Sequence, residues 1–166
     1  MSNLELLELI SLKMFFSVIC GFIVGYERET NGASAGFKTQ ILVCIGSMLF
    51  TVMPTLLVAN TTTDSVRIIG QIITGVGFLG AGAIMHGQGL DKVIGLTTAA
   101  WIWFIAAIGI LIGLGYGPAA TFTTISLVVV ITVARKIERA YFNKEMPKKI
   151  EAISMKAETE NKKKAA

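Results

Sequence analysis

Charge is what this 166-residue chain has least of where it matters most. Between Thr39 and Ala134 only Asp64, Arg67, Asp91 and Lys92 carry it. Charged residues make up 16% of the whole, against roughly 25% in an average soluble domain. A soluble fold cannot cover its surface from such a sequence. Histidine occurs once, as His86, and cysteine twice, as Cys20 and Cys44. Neither cysteine has a Cys or His at metal-ligand spacing, so both read as buried free thiols and no metal site is indicated. A cleaved leader is not indicated either, because MSNLELLELISLK opens with Glu5 and Glu8 where a basic start is needed. No nucleophile–base pair or phosphate-binding loop appears. The chain is therefore not expected to be an enzyme or to hold a cofactor.

What is present is apolar length. The chain is 53% hydrophobic, with a mean hydropathy of +0.67. A bilayer core about 30 Å thick needs about 20 mostly apolar residues per helix. Five such segments are predicted, at about 4–26, 39–59, 66–85, 93–114 and 118–134. Pro54 is expected to kink the second, and Pro118 suits the first turn of the fifth. Lys13 is expected to snorkel from the first segment to the interface. The expectation is an all-α integral membrane bundle over residues 1–134. A basic cytoplasmic tail follows over 135–166, helical at first and then disordered.

Basic residues set the expected orientation. With five spans, 13 of the 15 Lys and Arg residues fall on one side. That side is read as the cytoplasm, with the N-terminus outside and the C-terminus inside. The tail beyond Ala134 carries ten basic and five acidic residues. Its chemistry suits anionic lipid headgroups rather than nucleic acid.

The stretch GVGFLGAG, residues 75–82, has the glycine spacing of a dinucleotide fingerprint. The context excludes that reading. No strand precedes it, and no acid lies about 20 residues beyond. Small residues at such spacing let membrane helices approach closely. Gly75, Gly77, Gly80 and Gly82 are therefore read as helix-packing positions, with Gly21 and Gly25 in the first span and Gly109 and Gly113 in the fourth. Such seams suit packing within the chain and self-association equally.

The candidate functional residues are polar groups at the span ends. Glu27, Arg28 and Glu29 close the first span, and Lys38 and Thr39 open the second. Alternating acid, base and acid beside a membrane is costly unless the groups pair. Asp64, Arg67 and Gln71 cluster at the start of the third span, and Arg67 and Gln71 share a face. Thr97 and Thr98 offer hydroxyls from the fourth. No carboxylate lies near the predicted centre of a span, where cation pathways usually place one. His86 is read as an interface or capping residue, and Trp101 and Trp103 as packing or belt aromatics.

Three blocks, GYERETNGASAGFKTQILVCIG, RIIGQIITGVGFLGAGAIM and GLTTAAWIWFIAAIGILIGLG, together resemble the MgtC/SapB family of bacterial membrane proteins. The resemblance runs from about Gly21 to Gly115. It implies a multi-pass protein of the bacterial inner membrane with about five spans, acting in growth or survival when magnesium is scarce. For virulence members it implies regulation of other membrane proteins, the F-type ATP synthase among them. A magnesium or other small-ion transporter is the alternative. The implied partners are the lipid bilayer and other membrane proteins or a second copy. The family's acidic–basic motif falls on Glu27 and Arg28, and its Gly-x-Arg-Thr motif on Gly36, Lys38 and Thr39. Its third-span motif falls on Arg67, Gln71 and the glycines of 75–82, and its fourth on Thr97 and Thr98. Lys38 departs from the family's Arg and loses the bidentate fork. The short stretch after Ala134 resembles the SapB-like form, without the C-terminal cytoplasmic domain of longer members.

Overall fold

The computed structural model describes residues 3–57, 62–86 and 93–164. Five helices carry the chain: α1 (Asn3–Thr30), α2 (Phe37–Leu57), α3 (Thr62–Ala83), α4 (Leu96–Gly113) and α5 (Gly117–Lys164). Each contains a stretch long and apolar enough to cross a membrane. Between α3 and α4, β1 (Met85–His86) pairs antiparallel with β2 (Val93–Ile94). The expected span from residue 93 therefore starts as a strand, and α4 begins at Leu96. Gly95, at φ +92°, makes that corner; a side chain there would meet the Ala83 carbonyl.

Residues Met1–Val128 form one compact unit and Val129–Ala166 a second. In the first, α2 is central and packs on α1, α3 and α4, while α4 also meets α1 and α3. Glycine decides how close these helices come. A Cβ on Gly21 would lie 2.6 Å from the Ile41 Cα, and one on Gly25 would collide with the Phe37 Cα, so α1 rides on the backbone of α2. Gly109 faces the Cys44 carbonyl, and a Cβ on Gly113 would lie 2.6 Å from the Thr51 Cβ. The first turn of α5 meets α1 in the same way, with Gly117 under the Phe16 ring. Cys20, Val24, Cys44, Met48 and Ile105 fill the centre, and both cysteines are free thiols. Ile72 and Val76 of α3 join Ile102, Ala106 and Ile110 of α4 in an apolar cluster.

Two features differ from the sequence expectation. α1 runs a turn further, through Glu27–Thr30, because the Thr30 hydroxyl back-bonds to the Tyr26 and Glu27 carbonyls. α2 passes through Pro54 to Leu57, as the expected span did. In the second unit the helix continues to Lys164 where disorder was expected. That stretch is rich in Ala, Glu and Lys, which are strong helix formers.

Candidate functional site

The site lies where α1 ends and α2 begins. Gly32, at φ +69°, turns the chain. Its N–H bonds to the Glu29 carbonyl, and the Ala33 N–H to that of Arg28, the pairing of a Schellman C-cap. Six residues after this helix end, α2 starts. Its Phe37 N–H donates to the Glu29 carboxylate at 3.2 Å, so an acid from α1 caps the N-terminus of α2. A Cβ on Gly36 would meet that carboxylate, which would then have to swing away from the cap.

This tight hairpin carries Glu27 and Arg28 into the protein. Both are 6% exposed. Arg28 Nη1 lies 3.5 Å from Glu27 Oε2. Asn31 Nδ2 donates to Glu27 Oε1 at 3.2 Å and to the Glu27 carbonyl at 2.6 Å. From α4, the buried Trp101 ring faces the Arg28 guanidinium, 5.8 Å from its centroid, and stands edge-on to Phe104. A desolvated cation–π contact contributes about 2 kcal/mol. From α2, Gln40 is fully buried and donates to the Ala35 carbonyl at 3.4 Å. Its Oε1 meets no donor among the described residues. The arrangement is a charge-neutral polar node joining α1, α2 and α4 at one end of the bundle. The Glu27 carboxylate is already engaged by a cation and an amide.

The other candidates are distributed differently. Glu29 is exposed and caps α2. Lys38 is exposed and Thr39 half-buried on the first turn of α2. Thr98 is buried on the first turn of α4, whereas Thr97 is exposed. Arg67 and Gln71 lie exposed on α3 and are not brought to the Glu27–Arg28 node. Asp64 is on the first turn of α3, and His86 on β1; both side chains lie outside the described residues. Among the glycines, Gly80 makes ordinary contact with Ala99, while Gly75, Gly77 and Gly82 have nothing of this chain within 4 Å of a built Cβ. Among the described residues, Gly77 and Gly82 border open space and Gly75 borders the gap between α2 and α3.

Gln40, Asn31 and the cation contact of Trp101 were missed by sequence reasoning. Gln40 had a signal: it is an amide inside an apolar span. Lys13 was read as snorkelling. Its Nζ donates to the Gly113 carbonyl at 2.5 Å, at the end of the α4 span, where the C-terminus of the helix offers free carbonyls and negative dipole within reach.

A lateral groove of about 500 Å³ separates α2 from α3, lined by Gly46, Ser47 and Phe50 on one side and Ile68, Gln71 and Gly75 on the other. A smaller one of about 220 Å³ lies between α3 and α4, beside Ile73, Trp103 and Ala107.

Five spans, a glycine-seamed interior and a charged pair folded into it define a multi-pass membrane protein. The MgtC family profile matches residues 14–140, and the chain belongs to that family, whose members are proteins of the bacterial inner membrane. An uncharacterized protein of Haemophilus influenzae is 34% identical over 134 residues, covering 76% of this chain and 56% of its own length. YhiD of Escherichia coli K12, whose name proposes a magnesium transporter, is 35% identical over 143 residues, covering 82% and 65%. SrpB of Synechococcus elongatus is 31% identical over 140 residues, covering 78% and 77%. The chain thus spans less than two thirds of the first two relatives. No solved structure matches it.

Proposed function

We propose that this protein is a non-enzymatic membrane protein that supports growth when magnesium is scarce, by regulating other membrane proteins. The N-terminus lies outside and the C-terminus in the cytoplasm, which puts the Glu27–Arg28 node at the cytoplasmic face. The observation that carries this reading is the closed interior. Glycines seat α1 and α4 directly on α2, and the buried carboxylate of Glu27 is held by Arg28 and Asn31. Mg²⁺ dehydrates reluctantly and seeks carboxylate oxygens while keeping several waters. The Glu27 carboxylate is already engaged by Arg28 and Asn31, whereas the grooves beside α3 open outward. The function then rests on the outer faces and on the rigidity that the node gives them.

The test is growth of a strain lacking the gene in limiting magnesium. Wild type is expected to rescue, and membrane-inserted Glu27→Gln and Arg28→Ala are expected to fail. Unimpaired growth of the null strain at every magnesium level sinks the proposal. A second reading, ion transport, is favoured by the name of YhiD; its path would have to run along α3, through Gln71.

A further inference from the structure

α5 stays helical where its apolar run gives way to charge. The helix is unbroken from Gly117 to Lys164, and its charges begin at Arg135. Val129, Val133, Ile137 and Tyr141 are all exposed and lie four residues apart, so one apolar face continues past the first charges. Arg135, Lys136 and Arg139 fall on another face of the same turns, at i, i+1 and i+4. Glu138 is the single acid among residues 135–141, so this short stretch carries three basic groups against one.

Depth and pairing together say what meets that face. At about 1.5 Å per residue, Arg135, Lys136 and Arg139 lie about 3–9 Å past Val133 along the helix axis. The headgroup layer of one leaflet is about 5–8 Å deep beyond the hydrocarbon. Val133 belongs in the hydrocarbon, and the amphipathic ring of Tyr141 suits the interface. The three cations between them are therefore held among headgroups. Two cations of the earlier spans are taken up inside the bundle. Lys13 donates to the Gly113 carbonyl, and Arg28 lies between Glu27 and the Trp101 ring. Lys136 and Arg139 differ. Both are exposed, and among the described residues neither joins an ion pair. Arg135 is half-buried next to them.

We infer that Arg135, Lys136 and Arg139 form a binding site for the headgroup of an anionic phospholipid. Its phosphodiester accepts the forked donors of Arg and the point charge of Lys. A zwitterionic headgroup carries the same phosphate but cancels it with its own cation, so the site discriminates by net charge. The apolar face of the same turns keeps the cluster at the leaflet surface, where lipid phosphate outnumbers dissolved phosphate. The site is confined to these turns. Lys162, Lys163 and Lys164 lie more than twenty residues further along and take no part. This inference stands apart from the proposed function and fails or survives on its own.

The test uses the full chain in phosphatidylcholine vesicles holding a minor share of phosphatidylglycerol. Ala140→Cys, exposed next to Arg139, takes a thiol-directed fluorophore, while Cys20 and Cys44 are buried. Quenching by phosphatidylglycerol with a nitroxide on its acyl chain is compared with quenching by phosphatidylcholine labelled alike. One basic residue near the surface enriches anionic lipid about fivefold, so a preference of about fivefold or more is expected. It should fall close to one at about 1 M salt, where the Debye length is about 3 Å. Arg135→Gln, Lys136→Gln and Arg139→Gln combined are expected to abolish it. Arg135→Lys with Arg139→Lys should keep most of it, because the charge remains. Lys162→Gln, Lys163→Gln and Lys164→Gln combined should leave it unchanged. Equal quenching by the two lipids, a preference that survives neutralisation or salt, or one lost with the distal lysines would overturn the site. Inorganic phosphate at matched ionic strength is expected to leave the preference in place. Loss of the preference under phosphate would assign the cluster to a free anion and overturn the lipid.

Discussion

α4 and α3 are both glycine-bearing spans of nearly equal length, yet the protein treats them in opposite ways. Of the membrane-spanning residues, 56% are buried in α4 and 11% in α3. In α4, Gly109 and Gly113 face the backbone of α2 with no room for a side chain. In α3, a Cβ on Gly75, Gly77 or Gly82 would touch nothing among the described residues. Small residues at helical spacing state that something comes close; they do not state whether it is the same chain.

Substitutions sharpen the contrast, and the largest effect is expected at the charged node that ties α4 to α1. Arg28→Ala strands a buried carboxylate, and removing one partner of a buried pair costs about 3–5 kcal/mol. Thermal unfolding in detergent should show that loss, while Arg67→Ala on exposed α3 should stay within about 0.5 kcal/mol of wild type. Gly109→Leu comes next. Overpacking a filled joint costs about 1–3 kcal/mol, and a Cβ here meets the Cys44 carbonyl directly, so the yield of folded protein should fall. The capping acid Glu29 is smaller still: Glu29→Ala should lose about 1 kcal/mol, the usual worth of a helix N-cap. The smallest effect carries the opposite sign. Gly77→Ala adds a methyl into open space, and helix propensity alone should raise stability by up to about 1 kcal/mol. A marked loss at Gly77 would show that α3 is covered within its own chain and would break the comparison.

The spans were legible because crossing hydrocarbon demands apolar length, which leaves a one-dimensional trace. The end of α1 was not. ERET reads equally as a solvated loop, and only the hairpin closed by Gly32 and Gly36 carries Glu27 and Arg28 inside. Gln40 and Trp101 come to that node from two other helices, and nothing in local sequence relates them to Arg28. The β1–β2 pair was missed because two-residue strands leave no periodicity. The packing partner of Lys13 was hidden for a related reason: Gly113 is a hundred residues away, and its carbonyl is a backbone group with no sequence signature.

The central claim is a closed bundle that acts through its outer faces and carries no ion through its interior. Magnesium entry into liposomes holding the purified wild-type protein tests it most directly. The account predicts entry no faster than in protein-free vesicles. Entry that rises with the amount of protein, and is lost in Glu27→Gln, would contradict it.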